Sequence, residues 1–457
     1  MKRIESLKRL IILQLSFVGL ILQTGVYAYF WMTKYYPFLH MHRGLKFFFK
    51  GHVLMFFVYF VLLFFFASTY GGLKIGYLKP VDVYFSQFFS LIAVNVLSYI
   101  QISLMANWLV DVGPIAETML IQIALSAVWV YVCNMFYHKV FPPREMLLVH
   151  GERPIDSIIA KFNSRKDKYK INRCINIAEG MEKIKTEITA GYGAVVLWDI
   201  PTSVRNELLK YCYSKSVRVY MMPKVSDVLV KGSDQLHLFD TPILLTREYS
   251  LKIEQRLIKR LLDLFCAIVL LIIASPFMLI TAIIIKLYDG GPVLYKQIRC
   301  TRDAREFYIL KFRSMRVDAE KDGVARLAAK NDSRITPIGK VIRAVRIDEL
   351  PQLFNILKGD MSFIGPRPER PEIIAQYVEE MPEFVFRMKV KAGLAGYAQV
   401  YGKYNTTPYD KLKLDLTYIE NYSVWLDLKL MLLTLKILFK PESTEGVDGN
   451  QITANKG

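Results

Sequence analysis

The sequence is poor in the residues that build disulfide frameworks and metal centres. It contains 5 cysteines and 6 histidines among 457 residues. No two cysteines lie close enough for a C-x-x-C pair, and the histidines show no spacing suited to a metal site. The sequence therefore argues against zinc modules and disulfide-stapled domains, and it predicts a reducing compartment for most of the protein.

Acidic residues are also in the minority. Lysine and arginine number 60 against 41 aspartates and glutamates, which gives a net charge of +19, and apolar residues make up 53% of the chain. So much apolar sequence argues against a disordered or wholly soluble protein. An apolar chain this basic is expected to lie against an anionic membrane surface or to bind phosphorylated substrates. Nucleic acid fits the apolar content poorly, so no nucleic-acid partner is predicted.

Four long apolar stretches fill the first third of the chain. Each is near the ~20 residues that a membrane-spanning helix needs, and they run Leu10–Met32, Val53–Thr69, Val83–Met105 and Ile115–Tyr137. We therefore predict a transmembrane region of four helices in residues 1–140. Basic residues before the first stretch predict a cytoplasmic N-terminus, to which four crossings return the chain. The loop after the first stretch disagrees with this orientation, because it carries Lys34, Arg43, Lys46 and Lys50.

A fifth apolar block, Leu261–Ile285, has Ser275-Pro276 in its middle and basic residues on both flanks. Proline inside a helix removes one hydrogen bond and bends the axis. These features favour a re-entrant helix over residues 251–288, which enters the membrane, breaks at Ser275 and Pro276, and leaves on the same face. A fifth complete span is the alternative.

Residues 144–248 have the composition of a soluble α/β unit. Buried parallel strands are predicted at Met146–His150, Ala194–Trp198 and Val217–Met221, with helices between them, as in a small Rossmann-like domain. The turn after the first strand reads Gly151-Glu152-Arg153-Pro154. It lacks two of the three glycines of a phosphate-binding loop, and its glutamate would repel a pyrophosphate. We therefore predict no dinucleotide there and a packing, assembly or regulatory role.

Two adjacent carboxylates, Asp348 and Glu349, follow a series of basic residues in the last third of the chain. One carboxylate can attack phosphorus while the other holds a divalent cation. Arginines near them can bind and neutralise phosphate groups. The spacing alone fits a phosphate-transfer site and a solvated acidic pair with surface arginines equally well, so both interpretations stay open at this point.

A series of short motifs changes that balance. In chain order they include Lys259-Arg260-Leu261-Leu262-Asp263, Ser275-Pro276, Gly291-Pro292-Val293-Leu294-Tyr295, Lys311-Phe312-Arg313-Ser314-Met315, Asp348-Glu349-Leu350-Pro351-Gln352-Leu353, Lys358-Gly359-Asp360-Met361-Ser362, Gly365-Pro366-Arg367-Pro368 and Gly393-Leu394-Ala395-Gly396. With these motifs, the region from Lys259 to Phe439 closely resembles the bacterial sugar transferase family of polyprenyl-phosphate hexose-1-phosphate transferases. These monotopic phosphoglycosyl transferases start exopolysaccharide, capsule and O-antigen synthesis. The N-terminal spans and the α/β segment resemble the large forms of the family.

The resemblance implies a two-step mechanism. Asp348 would attack the sugar-bearing phosphorus of a UDP-sugar and expel UMP, and undecaprenyl phosphate would then take the sugar phosphate from the aspartyl intermediate. Glu349 would be a ligand of Mg²⁺, the implied cofactor. Substrate-binding roles are expected for Lys311, Arg313, Arg343, Arg367 and Asp415. UDP-glucose and UDP-galactose are the expected donors, and UDP-N-acetylated sugars stay open.

Three positions depart from the family pattern. Thr301 and Ala304 stand where the family usually has glycines in the turn after Arg299, and Ala392 stands where it usually has a proline. The geometry of that turn is therefore expected to differ from the family's.

The resemblance also implies an arrangement in the cell. A helix-rich catalytic domain, residues 289–440, is expected on the cytoplasmic face of the inner membrane, because the UDP-sugar and the lipid phosphate are both found there. A polar tail, residues 441–457, is expected to be disordered. The sugar, the polysaccharide and a homodimer stay open. The alternative function is a catalytically weak membrane assembly or regulatory protein of the same pathway, against which the intact Asp348, Glu349 and Arg367 count.

Overall fold

The computed structural model describes residues 2–246, 251–317, 332, 334–402 and 406–438. The predicted polar tail and Phe439 lie outside these residues. The chain forms two compact units, Met1–Met222 and Pro223–Gly457, so the segment 144–248 contributes to both. Within the described residues, five helices are long and apolar enough to cross a membrane.

The first unit begins with the helices that the apolar stretches predict. They are α1 (Lys2–Phe30), which continues through a π-helical turn (Trp31–Tyr35) into α2 (Tyr36–Arg43), then α3 (Phe49–Tyr70), α4 (Pro80–Ala106) and α5 (Gly113–Val140). Their outward residues are long and apolar, and their mutual contacts bury a polar cluster. Asn95 Nδ2 donates to Gln122 Oε1 over 2.8 Å, and the Tyr59 hydroxyl donates to Asn95 Oδ1 over 3.0 Å. Such bonds hold apolar helices together in lipid.

One end of this helix bundle meets the α/β part of the same unit. Arg165 Nη1 donates to the carbonyl of Tyr77, in the loop between α3 and α4, over 2.9 Å. Lys8, near the start of α1, lies 4.8 Å from the ring centre of Tyr137, near the end of α5. The start of α1, this loop and the α/β part therefore lie at the same end of the helix bundle. A chain that crosses a membrane four times returns to the side on which it began, which agrees with this arrangement. The basic loop that contains Lys46 lies at the other end.

The α/β part is a four-stranded parallel sheet. Its elements are β1 (Arg144–His150), α6 (Asp156–Asn163), β2 (Tyr169–Asn176), α7 (Met181–Thr189), β3 (Ala194–Trp198), α8 (Thr202–Ser214) and β4 (Arg218–Met221). The strand order is β2-β1-β3-β4 with every neighbouring pair parallel, which confirms a Rossmann-like arrangement. The edge strand β2 is absent from the sequence prediction, because its half-exposed residues form no continuous apolar run.

Close packing of the backbone explains the presence of glycine at position 151, in the turn after β1. A Cβ atom there would lie 2.1 Å from the carbonyl oxygen of Asp199, so only glycine allows the two loops to approach. Arg153 in the same turn lies 3.5 Å from the carboxylate of Asp199. The glycine is thus explained by close backbone packing, and the absence of a dinucleotide stays a prediction.

The second unit is rich in helices. It comprises α9 (Val225–Lys231), β5 (Asp234–Leu238), β6 (Thr241–Leu245), α10 (Ile253–Asp289), β7 (Leu294–Cys300), β8 (Glu306–Phe312), α11 (Pro337–Ala344), α12 (Gln352–Lys358), β9 (Ser362–Ile364), α13 (Pro371–Glu380), β10 (Gly393–Ala395), α14 (Tyr397–Tyr401), α15 (Pro408–Glu420) and α16 (Val424–Leu438). The pairs β5–β6 and β7–β8 are antiparallel hairpins, and β9 pairs with β10 in parallel. The core lies among α12, α15 and α16, where Leu353, Leu416 and Leu430 are fully buried.

The long helix α10 contains Pro276, which cannot donate to the carbonyl of Ile272. The hydroxyl of Ser275 donates to that carbonyl over 2.9 Å, so the proline leaves no orphaned acceptor. The side chains around the proline, such as Phe277 and Leu279, are exposed. This apolar surface is the part of α10 that suits lipid.

Both ends of α10 are bonded to other elements of the second unit. Near its start, Lys259 Nζ lies 2.7 Å from Asp427, and Asp263 accepts from the backbone N–H of Phe363 over 2.9 Å. At its end, Asp289 forms an ion pair with Arg313. The motif residues at 259–263 are therefore anchors between this helix and the rest of the unit.

Thr301 and Ala392, two of the positions that depart from the family pattern, are joined by a hydrogen bond. The buried Thr301 hydroxyl accepts from the backbone N–H of Ala392 over 3.1 Å and donates to the carbonyl of Asp360 over 2.8 Å. A proline at 392 would have no N–H to satisfy. In the turn itself, Asp303 and Ala304 have φ of 58° and 57°, the left-handed conformation that favours glycine.

We expect Thr301→Val to destabilise the protein by about 2 kcal/mol, because it leaves the buried N–H of Ala392 unpaired. The thermal midpoint in detergent should fall by roughly 4–8 °C. Adding Ala392→Pro should recover much of this loss, although Ala392→Pro alone destabilises. Additive effects in this double-mutant cycle would contradict the pairing.

Candidate active site

The two carboxylates Asp348 and Glu349 lie on a short 3₁₀ turn, Ile347–Glu349, between α11 and α12. Arg346, which precedes the turn, has φ of 59°. This left-handed conformation is unfavourable for a residue with a side chain by about 1 kcal/mol or more, and strained backbone of this kind is concentrated at functional sites. The strain marks the start of the turn that presents both carboxylates.

Glu349 lies among three cations. Its Oε1 is 3.2 Å from Lys311 Nζ and 3.4 Å from Arg367 Nη2, and its Oε2 is 3.7 Å from Arg346 Nη1. Burial on its own would raise the pKa of Glu349, but Lys311, Arg367 and Arg346 outweigh it and hold the pKa well below its usual range. Glu349 is therefore a fixed negative charge at neutral pH.

Asp348 has a different environment. No hydrogen bond or ion pair to its carboxylate occurs among the described residues. Burial and the adjacent charge of Glu349 raise the pKa of Asp348 to about 6, against the opposing effect of Lys311, Arg343 and Arg346. The pKa of Asp348 is thus raised while that of Glu349 is lowered. Such a difference between neighbouring carboxyl groups is typical of sites in which they have different roles. Asp348 keeps its oxygen lone pairs available for a reacting atom.

Lys311 reaches Glu349 from the end of β8. The strand is fixed to α12 by Asn355, whose Oδ1 accepts from the N–H of Leu310 over 3.0 Å and whose Nδ2 donates to the carbonyl of Tyr308 over 2.8 Å. The amide of Asn355 thus takes the place of a neighbouring strand. It holds the strand that carries Lys311 against the helix that follows the two carboxylates.

We expect Asn355→Ala to destabilise the protein by about 1–3 kcal/mol, because two part-buried backbone groups of β8 lose their partners. The thermal midpoint in detergent measures this effect. Asn421→Ala is the matched control, since the exposed Asn421 bonds only within its own helix end, and its midpoint should change little. Equal midpoints for the two variants would contradict the role given to Asn355.

Arg367 reaches Glu349 from the loop Gly365-Pro366-Arg367-Pro368, which two buried arginines hold by its carbonyls. Arg387 Nη2 donates to the carbonyl of Arg367 over 3.0 Å, and Arg299 Nη1 donates to that of Pro368 over 3.2 Å. Glu369 lies 3.7 Å from each of these two guanidinium groups. The loop is therefore clamped from behind, and the position of Arg367 is fixed by charged groups that do not face the carboxylate pair.

Two predicted substrate-binding residues have other positions. Asp415 is 1% exposed and binds Arg387, 2.9 Å from its Nε, so it supports the Arg367 loop through Arg387 and does not contact the carboxylate pair. Arg313 is also buried, and its guanidinium binds Asp289 at the end of α10. Each is thus buried against a charged partner, and direct substrate contact stays a prediction for both.

The structure brings Lys311, Arg343 and Arg367 to the carboxylates and adds residues that the sequence analysis did not select. Arg346 was visible as a basic residue just before Asp348. Arg387 and Asn355 have no local signal, because each acts through a partner distant in the chain. Four cations, Lys311, Arg343, Arg346 and Arg367, accompany two carboxylates, which leaves an excess of positive charge suited to a diphosphate.

A metal ion at this site would need ligands from the substrate. No group of three His, Cys, Asp or Glu side chains able to hold a metal occurs among the described residues. Mg²⁺ is commonly held by one or two carboxylates together with substrate phosphates and water. Asp348 and Glu349 fit a Mg²⁺ of this kind, one that is bound jointly with a diphosphate.

Acid should reduce the activity of this site in a defined range. Since the pKa of Asp348 is raised to about 6, its carboxylate gains a proton as the pH falls through 6, and a protonated carboxyl could not serve as the nucleophile that the family resemblance predicts. We expect kcat/KM to fall about tenfold per pH unit below that value. In Arg343→Gln this acidic fall of kcat/KM should move to higher pH, because the variant lacks a positive charge that lowers the pKa of Asp348. An unchanged acidic fall in this variant would contradict the assignment.

Comparison with known proteins extends the description. Residues 254–441 match the family described as "Bacterial sugar transferase". The chain is 39% identical over 241 residues to the UDP-N-acetylgalactosamine-undecaprenyl-phosphate N-acetylgalactosaminephosphotransferase of Aeromonas hydrophila, covering 50% of this chain and 54% of the relative. It is 38% identical over 221 residues to the Galactosyl transferase CpsE of Streptococcus agalactiae, covering 45% and 48%. The chain thus spans about half the length of these relatives.

A third relative is matched over most of its length. It is the UDP-glucose:undecaprenyl-phosphate glucose-1-phosphate transferase of Caulobacter vibrioides, 38% identical over 190 residues, which cover 40% of this chain and 71% of the relative. The family match at residues 254–441 contains the carboxylate pair, the clamped arginine loop and the strand that carries Lys311. The family resemblance seen in the sequence is therefore confirmed, and this chain belongs to the bacterial sugar transferase family.

Proposed function

We propose that this protein transfers a hexose-1-phosphate from a UDP-sugar to undecaprenyl phosphate and releases UMP. The observation that carries the proposal is the pair of unlike carboxylates. Asp348 has no partner among the described residues, and Glu349 is held by three cations. The names of the relatives, which are undecaprenyl-phosphate sugar phosphotransferases, support the same reaction.

In the first step, a carboxylate oxygen of Asp348 attacks the sugar-bearing phosphorus of the UDP-sugar. A bond from that oxygen to phosphorus forms, the bond from the same phosphorus to the bridging oxygen breaks, and UMP leaves with the electron pair. Lys311 and Arg367 neutralise the negative charge of the diphosphate. An acyl phosphate of Asp348 that carries the sugar remains, as in other covalent catalysis by carboxylates.

In the second step, a phosphate oxygen of undecaprenyl phosphate attacks the same phosphorus. The bond to Asp348 breaks, its carboxylate is regenerated, and undecaprenyl-diphospho-sugar is released. Arg343, half-buried on α11 beside Asp348, is the proposed binding residue for the acceptor phosphate. Glu349 remains charged throughout and keeps Lys311, Arg346 and Arg367 in place.

Mg²⁺ is the proposed cofactor. When bound with the diphosphate it would neutralise charge on the phosphate oxygens and stabilise the leaving group. Glu349 is its proposed protein ligand, with Asp348 as the neighbouring carboxylate. The diphosphate that would bind with the metal carries the negative charge that balances it beside Lys311, Arg346 and Arg367.

We propose that α10 is the re-entrant membrane helix of this enzyme. Residues 260 and 285 would be about 37 Å apart in a straight helix, more than the ~30 Å hydrocarbon core of a bilayer. Arg260 donates to the carbonyl of Ile356, and Ile285 packs with Phe312, and all of these partners belong to the second unit. Contacts of one soluble body with both ends favour a helix that enters and leaves on the same face. The catalytic part then lies on the cytoplasmic side, where the donor is found.

The donor is proposed to be a UDP-hexose, and its identity is left to experiment because the relatives' names include glucose, galactose and N-acetylgalactosamine. The product would be the first lipid-linked intermediate of an exopolysaccharide, capsule or O-antigen. Glucose and galactose were expected from the resemblance, and N-acetylgalactosamine joins them as a candidate.

The reaction class can be tested by the nucleotide that is released. Membranes containing the protein are incubated with each UDP-sugar, with and without undecaprenyl phosphate, and the products are separated by chromatography. We expect UMP with one donor and its sustained release only when the lipid is present. Release of UDP would indicate direct sugar transfer and would contradict the proposal, as would the absence of nucleotide release with all donors.

A further inference from the structure

The first unit contains a group of basic residues where its transmembrane helices meet its sheet. Lys8 Nζ lies 4.8 Å from the ring centres of Tyr137 and Phe141. Lys168 Nζ lies 4.2 Å from the ring centre of Tyr77. The two ammonium groups are thus held against aromatic rings at the end of α5 and in the loop between α3 and α4, a contact that partly desolvated cations make.

The charges of this junction do not balance. Asp167 is bound by Arg165 over 2.9 Å, and His138 lies near enough to lower its pKa further. Neither Lys8 nor Lys168 forms an ion pair with an acid in the part of the chain that the structure describes. Burial, followed by the charges of Arg165, Lys8 and Arg144, lowers the pKa of Lys168 to about 8. The charge of Asp167 opposes this shift, but its carboxylate is already bound by Arg165, so positive charge prevails among the described residues of this junction.

The position of the junction indicates what would neutralise it. Lys8 lies at the start of the apolar part of α1, whose candidate span begins at Leu7. Tyr77 is 63% exposed, and the apolar side chains Leu7 and Leu10 beside Lys8 are also exposed. Basic residues next to tyrosine at the end of a membrane helix lie at the level of the lipid headgroups. A phosphate there would contact the lysines while acyl chains cover the leucines.

We propose that this junction is a binding site for the phosphate of an anionic phospholipid headgroup. Lys8 and Lys168 provide the charge, and Arg144 and Arg165 add to the positive potential. Tyr77 borders the site at the headgroup level. The bound lipid links the helix bundle to the sheet, because the two lysines come from these two parts of the unit. The inference is independent of the reaction that the second unit catalyses.

Native mass spectrometry of the full-length protein in detergent tests the proposal, with phosphatidylglycerol and phosphatidylcholine of identical acyl chains as probes. We expect at least about fivefold higher occupancy for phosphatidylglycerol and a fall of that preference as salt is raised. Lys8→Gln with Lys168→Gln should abolish the preference. The charge-retaining pair Lys8→Arg with Lys168→Arg should keep it.

Lys166→Gln with Lys210→Gln removes the same charge from exposed positions and should leave the preference intact. Equal occupancy for the two lipids in the wild type would overturn the proposal, and this arm does not depend on whether a variant folds. Competition by millimolar inorganic phosphate would assign the site to free phosphate instead, and displacement by equimolar undecaprenyl phosphate would assign it to the acceptor lipid. Either result would refute a phospholipid site.

Discussion

The Asp348→Asn variant should lose UMP release by at least about a thousandfold, since removal of a covalent nucleophile leaves only binding and electrostatic effects. An amide cannot form the acyl phosphate. The variant should stay folded, because the pKa of Asp348 is raised to about 6. That direction means the fold disfavours the charged carboxylate at neutral pH, so a neutral amide should leave the thermal midpoint equal or higher.

Two further variants complete this test. Asp303→Asn changes an exposed aspartate whose ion-pair partner is the neighbouring Arg302, and it should keep its activity. Asp348→Ala excludes slow deamidation of the asparagine as a source of residual turnover. Substantial UMP release by both Asp348 variants would rule out the covalent mechanism, whereas a large fall in their midpoints would indicate a structural role for the aspartate.

The Ser275→Ala, Pro276→Leu double variant should move the protein toward a spanning arrangement of α10 and remove the activity of the molecules that adopt it. Leucine restores the N–H that bonds the carbonyl of Ile272, which the hydroxyl of Ser275 now satisfies. The continuous ladder favours a straight apolar helix, which is long enough to cross the bilayer. A straight crossing would separate the anchors at Asp263 and Asp289.

Cysteine accessibility at Lys252 and Lys296 measures the change. In the otherwise unmodified protein, both sites should react with an impermeant reagent only from the cytoplasmic side, and in the double variant Lys296 should become reactive from outside. Ser275→Ala alone is the control, because the proline remains and still lacks the N–H that the helix ladder needs. Labelling of Lys296 from outside in the protein with the natural Ser275-Pro276 would refute the re-entrant arrangement.

Features that depend on local sequence were predictable. The helix α3 and the strand β3 follow from continuous apolar runs, and the adjacent carboxylates Asp348 and Glu349 are neighbours in any fold. The hairpin β5–β6 was not predicted, because β5 is short and Pro242 lies within β6, where proline argues against a strand. All of its residues are exposed.

Residue roles set by distant partners could not be derived. Arg313 is separated by 24 positions from Asp289, and Asp415 by 28 from Arg387. A basic residue in a motif can bind substrate or another side chain, and only the fold distinguishes these cases. The sequence predicted Asp348 and Glu349 together with basic residues that the structure places beside them, whereas the charged groups that position the Arg367 loop became evident only from their contacts.

The bond between Thr301 and Ala392 has a consequence for the evolution of this chain and for its engineering. A chain with glycine at 301 and proline at 392 would have neither the acceptor nor the donor of this bond, whereas the threonine–alanine pair has both. A single exchange to glycine at 301 would leave a buried donor without an acceptor. Changes at these two positions are therefore expected to be coupled. Chimeras that take only one of these two loops from a relative should inherit the same incompatibility.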